Sequence, residues 1–234
     1  MIKAVTFDLD DTLWDNKPVM VVAESAMYTW LKQHCKQLTQ QYSLAQLKTL
    51  KDELLDKNPE LTHDVSELRR HTLEQALSEC GYGDSSRKLA EQAFARFLST
   101  RQQVTYFPHT EKTLQQLSQR YSLGVITNGN AEISQMSIGQ YFSFAIKAEE
   151  LKISKPDPTI FSEAVVLAGV QANQIAHIGD HPIHDILGAN QAGFKSIWFN
   201  PQQDNWVYHE YQPDAIAHSL HEIPTLIDKL SENK

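Results

Sequence analysis

An asymmetry of periodicity constrains this chain most. Strand-like runs of β-branched and aromatic residues stand at its start and throughout its second half, and none occurs between about residues 16 and 105. Ala4-Val5-Thr6-Phe7 reads as a buried strand that runs out into carboxylates. Residues 122–127, 144–147, 174–179 and 196–199 have the same character. Between them, apolar residues recur at helical spacing, as in Leu114 and Leu117, Ile160, Ala164 and Leu167, or Ile183, Ile186 and Leu187. This alternation predicts an α/β fold, a Rossmann-like doubly wound parallel sheet with helices on both faces. The strandless stretch carries four amphipathic helical segments, 19–35, 44–55, 65–79 and 86–98, with turns at Asn58-Pro59 and Gly81-Tyr82-Gly83. One strand precedes it and the rest of the sheet follows, so it is an insertion. The expected domains are a core of 1–15 with 106–234 and a helical cap of 16–105.

The balance of charge narrows the partners. A formal net charge of -8 argues against nucleic acid, whose phosphates require a basic face. It leaves room for a small phosphorylated ligand in a locally positive pocket. No apolar run approaches a membrane span, and a motif-bearing segment begins too early for a signal peptide. Cys35 and Cys80 fall in helical segments and read as free thiols of a reducing compartment, so the cytoplasm is expected. The chain alone leaves monomer and homodimer open.

Four segments carry chemistry, and each lies at or just past the carboxyl end of an expected strand, the edge where open parallel sheets bind ligands. The first is Asp8-Leu9-Asp10-Asp11-Thr12. Asp8 and Asp10 share that edge, so one carboxylate can attack phosphorus while the other protonates a leaving oxygen and later deprotonates water. An Asp-x-Asp pair by itself is an ordinary acidic turn. The second is Thr127-Asn128-Gly129-Asn130, where a hydroxyl and backbone N–H groups can hold a phosphoryl oxygen. In the third, Lys155 lies between Ser154 and Pro156, with Pro158 starting a helix, and a fixed ammonium there can neutralise phosphate and carboxylate charge. The fourth is Gly179-Asp180-His181-Pro182-Ile183-His184-Asp185. Mg²⁺ takes few protein ligands, all oxygen. Asp8, the backbone carbonyl of Asp10, and Asp180 are the expected set, with Asp185 steadying Lys155 or a metal-bound water and Thr12 in support. No histidine pair shows zinc spacing.

In this order the segments resemble the haloacid dehalogenase superfamily, whose pattern is Asp-x-Asp-x-Thr after a strand, then Ser/Thr, then Lys, then Gly-Asp with a further Asp. The matching residues are Asp8, Asp10 and Thr12, then Thr127, then Lys155, then Gly179, Asp180 and Asp185. The resemblance implies a Mg²⁺-dependent phosphatase in which Asp8 becomes an aspartyl-phosphate, Asp10 is the general acid and base, and Thr127, Asn128 and Lys155 grip the phosphate. A narrower likeness, carried by residues 11–16, His63-Asp64-Val65, Arg69, Glu74-Gln75-Ala76 and residues 127–131, is to bacterial phosphatases of riboflavin synthesis. It implies flavin mononucleotide (FMN) or a phosphoribityl intermediate as substrate, with Trp14, His63 and Arg69 as candidate pocket residues. Their other readings are that Trp14 covers the core, His63 caps the following helix and Arg69 lies on a solvated face. The His181–His184 filling departs from that branch.

Sugar or nucleotide phosphatases and phosphomutases share these motifs and stay open. A 2-haloacid dehalogenase uses the aspartate nucleophile but has no need of Asp10 or Asp180. A phosphonatase needs a cap lysine, and Lys17 and Lys57 have no special context. A binding protein on the same fold has no use for a nucleophile, an acid and a metal site together.

Overall fold

The computed structural model describes residues 1–232. It divides into two compact units, Met1–Asp15 with Thr105 onward, and Asn16–Val104.

The first unit is built on a six-stranded, wholly parallel sheet of β1 (Ala4–Phe7), β2 (Ser122–Thr127), β3 (Phe144–Lys147), β4 (Ile175–Gly179), β5 (Lys195–Phe199) and β6 (Ala215–Ala217). Its order is β3-β2-β1-β4-β5-β6. β1 and β4 are buried on both faces, as a central parallel strand requires. The strand order reverses between β1 and β4, so the crevice beyond their carboxyl ends is the natural ligand site of the sheet. The periodic segments between strands form α6 (Thr110–Ser118), α8 (Pro158–Ala168) and α10 (Ile223–Glu232), together with the short α7 (Ala148–Leu151) and α9 (Gly188–Gln191). α8 begins as its sequence dictates, with Asp157 Oδ1 accepting from Thr159 N at 2.8 Å and Pro158 in the first turn. The expected regular helix around Ile183 is instead a π-helical turn, Pro182–Leu187, leading into α9. β6 is an additional edge strand, too short to show a period in the sequence.

The second unit is all helical: α1 (Asn16–His34), α2 (Lys36–Gln41), α3 (Leu44–Lys57), α4 (Val65–Glu79) and α5 (Ser86–Arg101). Met27, Leu31, Leu47, Leu73, Leu77, Phe94 and Phe97 form its core, and Cys35 and Cys80 are buried there as free thiols. Ser43 and Gln46 build a capping box at the start of α3. Among the described residues, no helix is long and apolar enough to cross a membrane.

Candidate active site

Four chain segments meet in a cleft of about 270 Å³ in the α/β unit. Asp8, Asp10, Asp11, Thr127, Gly129, Lys155, Asp180, His184 and Asp185 all line it. β1 delivers Asp8, whose N–H extends the ladder by donating to Ile178 O at 2.9 Å. Past Asp10 the chain turns sharply through Asp11, in the left-handed region at φ 60°, where Asp is among the few tolerated side chains. Asp11 N closes the turn on Trp14 O at 2.8 Å. β2 delivers Thr127, whose Oγ1 accepts from Gly129 N at 3.0 Å. Its hydroxyl proton is thereby left for an incoming oxygen. Gly129 leaves room for Asp10 as it stands, because a Cβ there would sit 2.5 Å from Asp10 Oδ2 and displace that carboxylate.

Lys155 is the electrostatic centre. Its Nζ donates to Asp8 Oδ1 and to Asp185 Oδ1, each at 2.6 Å, and its side chain is 2% exposed. Burial alone would lower the ammonium's pKa, but Asp185 and Asp8 reverse this and hold it above the ordinary lysine value. Burial pushes the other way on Asp185, yet Lys155 and His177 keep its carboxyl well below the usual range. Asp8 is raised, first by burial and then by the charges of Asp185 and Asp180, with Lys155 opposing. Asp180 is pushed up to about 7 by burial and by Asp185 and Asp11.

Five carboxylates and one ammonium therefore face the cleft. Bringing a phosphate dianion within ~4 Å of one such carboxylate costs about 8 kcal/mol at an effective dielectric near 20. A further cation in the cleft would offset that repulsion. Asp8, Asp180 and Asp185 present carboxylate oxygens within 4.8 Å of one another. Asp185 is committed to Lys155, His177 and His181 N, which leaves Asp8 and Asp180 as hard oxygen donors. That donor set fits Mg²⁺.

The expected site residues fall into three groups. Asp8, Asp10, Thr127, Lys155, Asp180 and Asp185 converge, and Thr12 Oγ1 supports Asp180 Oδ1 at 3.2 Å. Asn128, also expected at the phosphate, has its side chain engaged elsewhere. Its amide is spent on the Lys155 backbone, Oδ1 accepting from Lys155 N at 2.8 Å and Nδ2 donating to Lys155 O at 3.0 Å. It sets the backbone of that lysine. The three candidate pocket residues are each held within their own unit. Trp14 is fully buried and donates from Nε1 to Asp10 Oδ1 at 2.9 Å, so it orients the Asp10 carboxylate from within the core. Arg69 belongs to the helical unit, where it pairs with the buried Glu24 at 3.6 Å and lies 3.9 Å from the Phe97 ring centroid. Its guanidinium is committed inside that unit and does not lie on a solvated face. His63, half-buried, ends the 3₁₀ turn Pro59–His63, and the following helix is capped by Asp64, which accepts from Glu67 N at 2.7 Å.

Four side chains contribute in ways the sequence does not show. His177, fully buried on β4, reaches Asp185. Trp198 donates from its indole to Asp180 O at 2.7 Å, with Trp206 packed against it edge to face. His181 and His184 stack with centroids 4.0 Å apart, His181 Nδ1 accepting from Ile183 N and His184 N. The Gly-Asp-His spacing announces their place but not their stacking.

Residues 5–199 match the family model of haloacid dehalogenase-like hydrolases. The chain belongs to this family. As a haloacid dehalogenase-like hydrolase it has both phosphatase and dehalogenase relatives. It is 32% identical over 202 residues to the 5-amino-6-(5-phospho-D-ribitylamino)uracil phosphatase YigB of Escherichia coli K12, covering 86% of this chain and 84% of that protein. It is 28% identical to the N-acylneuraminate-9-phosphatase of Rattus norvegicus, covering 98% and 95%. Among solved structures, one described as a 2-haloacid dehalogenase from Pseudomonas syringae pv. tomato DC3000 superposes with a TM-score of 0.93 at 44% identity, covering 98% and 99%.

Proposed function

We propose that this hydrolase is a Mg²⁺-dependent phosphomonoesterase acting on small phosphorylated metabolites through an aspartyl-phosphate at Asp8. The observation that carries this is the pairing of Asp8 with Asp10. Asp8 Oδ1 is held by Lys155, leaving Oδ2 for phosphorus, and Asp10, two residues on, is held by the Trp14 indole at the same cleft. A halide leaves without a proton, so dehalogenation gives Asp10 no work. Ester cleavage needs such an acid.

Asp8 attacks phosphorus and the ester P–O bond breaks, while Asp10 gives its proton to the departing alkoxide. Asp10, now a carboxylate, takes a proton from water. The resulting hydroxide attacks phosphorus, breaks the bond to Asp8 and releases inorganic phosphate. Thr127 and Lys155 bind the phosphoryl oxygens throughout, and Asn128 keeps Lys155 in place. Mg²⁺, held by the carboxylates of Asp8 and Asp180 and the carbonyl of Asp10, would neutralise the charge between substrate and nucleophile.

The substrate class we favour is a phosphorylated ribityl compound, FMN or a phosphoribityl precursor of riboflavin, which the likeness to YigB supports. Dehalogenation is the second reading, favoured by the 44% identity to a structure described as a 2-haloacid dehalogenase. One experiment separates them: 4-nitrophenyl phosphate, FMN and sugar phosphates with Mg²⁺ on one side, 2-chloropropionate on the other. Phosphate release without halide release is expected. Halide release that persists in excess chelator would overturn the proposal.

A further inference from the structure

His177 is a buried titratable side chain for which the proposed reaction has no use. It occupies an inward position of β4, fully excluded from solvent, between apolar neighbours Ala176 and Ile178. Burying an imidazole there is costly unless both ring nitrogens are satisfied, and both are. Nε2 lies 3.2 Å from Asp185 Oδ1 and Nδ1 lies 2.9 Å from Thr6 Oγ1. The β1–β4 register sets Thr6 directly beside His177, and Phe161 presents its ring edge-on at 5.3 Å.

Chemistry assigns the protons. Ionised Asp185 can only accept, so Nε2 must carry the hydrogen. Nδ1 is then bare and accepts from the Thr6 hydroxyl. The contacts form a closed circuit. Thr6 donates to His177, His177 donates to Asp185, Asp185 and Asp8 both accept from Lys155, and Asp8 lies two residues after Thr6 on the same chain segment. Asp185 can reach into this circuit because Gly179 has no side chain; a Cβ there would fall 2.2 Å from Asp185 Cγ.

We infer that His177 is a positioning residue: its Nε2–H, oriented by Thr6, fixes Asp185 so that Asp185 holds the Lys155 ammonium against the Asp8 nucleophile. This rests on the reading of Asp8 as the reacting carboxylate. A histidine serving only to fill the core would tolerate any side chain of similar volume. A positioning histidine needs a donor at the place of Nε2.

The test compares His177→Gln, whose amide can reach the Nε2 position, with His177→Asn, whose amide reaches only the Nδ1 position, using 4-nitrophenyl phosphate and saturating Mg²⁺. Loss of one hydrogen bond to a charged group predicts a fall in kcat of roughly 10-fold to 100-fold for the Asn variant, with KM within about twofold. The Gln variant should recover most of kcat even where both melt at similar temperatures. Equal kcat losses in the two variants, or none in either, would overturn the inference. A crystal structure of His177→Asn decides independently of turnover, because Lys155 Nζ still within hydrogen-bonding distance of both carboxylates would also overturn it. A wild-type enzyme inert toward phosphate esters would instead sink the phosphatase reading. Should the Asn variant not fold, Thr6→Val, which removes only the orienting hydroxyl, must lower kcat in the same direction; an unchanged kcat there refutes the role.

Discussion

Replacing Lys155 by Met removes the cation shared by two buried carboxylates while keeping an unbranched side chain in the same space. Asp185 is 1% exposed and Asp8 11% at the side chain, so neither can recover full hydration. Deleting one partner of a buried ion pair costs about 3–5 kcal/mol. Asp185 keeps two other donors, His177 Nε2 and His181 N, which places the expected loss near ~3 kcal/mol. For a chain of this size that is a fall in Tm of roughly 6–12 °C. The cause is uncompensated negative charge, so the loss should be largest near pH 8 and shrink toward pH 5, as the orphaned carboxyls protonate in the folded state. A second substitution, Asp185→Asn, should return part of the stability in the Lys155→Met background while destabilising the wild type. The assay is a thermal or urea double-mutant cycle at both pH values, without Mg²⁺. A strictly additive cycle, or a Lys155→Met penalty independent of pH, would show that Lys155 contributes packing and not charge.

Three further outcomes follow from the same geometry. Asp8→Asn should abolish phosphate release with an unchanged circular dichroism spectrum; near-normal turnover would exclude Asp8 as nucleophile. Trp14→Phe keeps the ring but loses the 2.9 Å bond to Asp10, so kcat should fall about 10-fold or more for alkyl phosphates. The effect should be smaller for 4-nitrophenyl phosphate, whose leaving group needs no proton, and equal losses on both would refute an orienting role. Burial lowers the pKa of His177 below its ordinary 6.5, against the pull of Asp185. The unfolded chain thus takes up a proton below about pH 6.5 that the folded chain refuses, and stability drops as pH falls below that value. Urea midpoints at pH 7.5 and 5.5 should show this slope in the wild type and a smaller one in His177→Gln; identical slopes would contradict it.

Much of the fold is legible in the sequence because its signals are local. β-branched runs mark β1 to β5, and a strandless stretch of amphipathic helices marks an insertion. The departures have physical causes. β6 has three residues, too few to show a period. The segment after Asp180 has helical spacing, but His181 Nδ1 draws in two backbone N–H groups and the Asp185 carboxylate turns back to accept from His181 N. The helix therefore opens into a π turn, the irregularity that functional sites often carry. The split between α1 and α2 at Cys35 leaves no breaker residue to read.

In the site, residues that touch a reactant can be anticipated from their chemistry, and residues that hold them cannot. Asp8, Asp10 and Asp180 are charged groups at or just past strand ends, and Lys155 is a charged group in the Pro-bounded loop before α8, unusual places for charge unless it is used. Trp14, Asn128, His177 and Trp198 look in sequence like core aromatics, a turn amide and a strand histidine. Each acts through a partner brought near by folding: Asn128 through the backbone of Lys155, 27 residues on, His177 through Asp185, and Trp198 through the carbonyl of Asp180, 18 residues back. Trp14 is the instructive case, since it lies only four residues from Asp10 and still reads in sequence as a candidate ligand contact. An aromatic residue beside a catalytic loop has the same composition whether its ring faces outward or its N–H faces in. Here the turn decides. The left-handed conformation at Asp11 folds the chain back so that Trp14 lies beneath Asp10. The Asp10 carboxylate, the proposed acid, thereby accepts from the Trp14 indole and still lines the cleft.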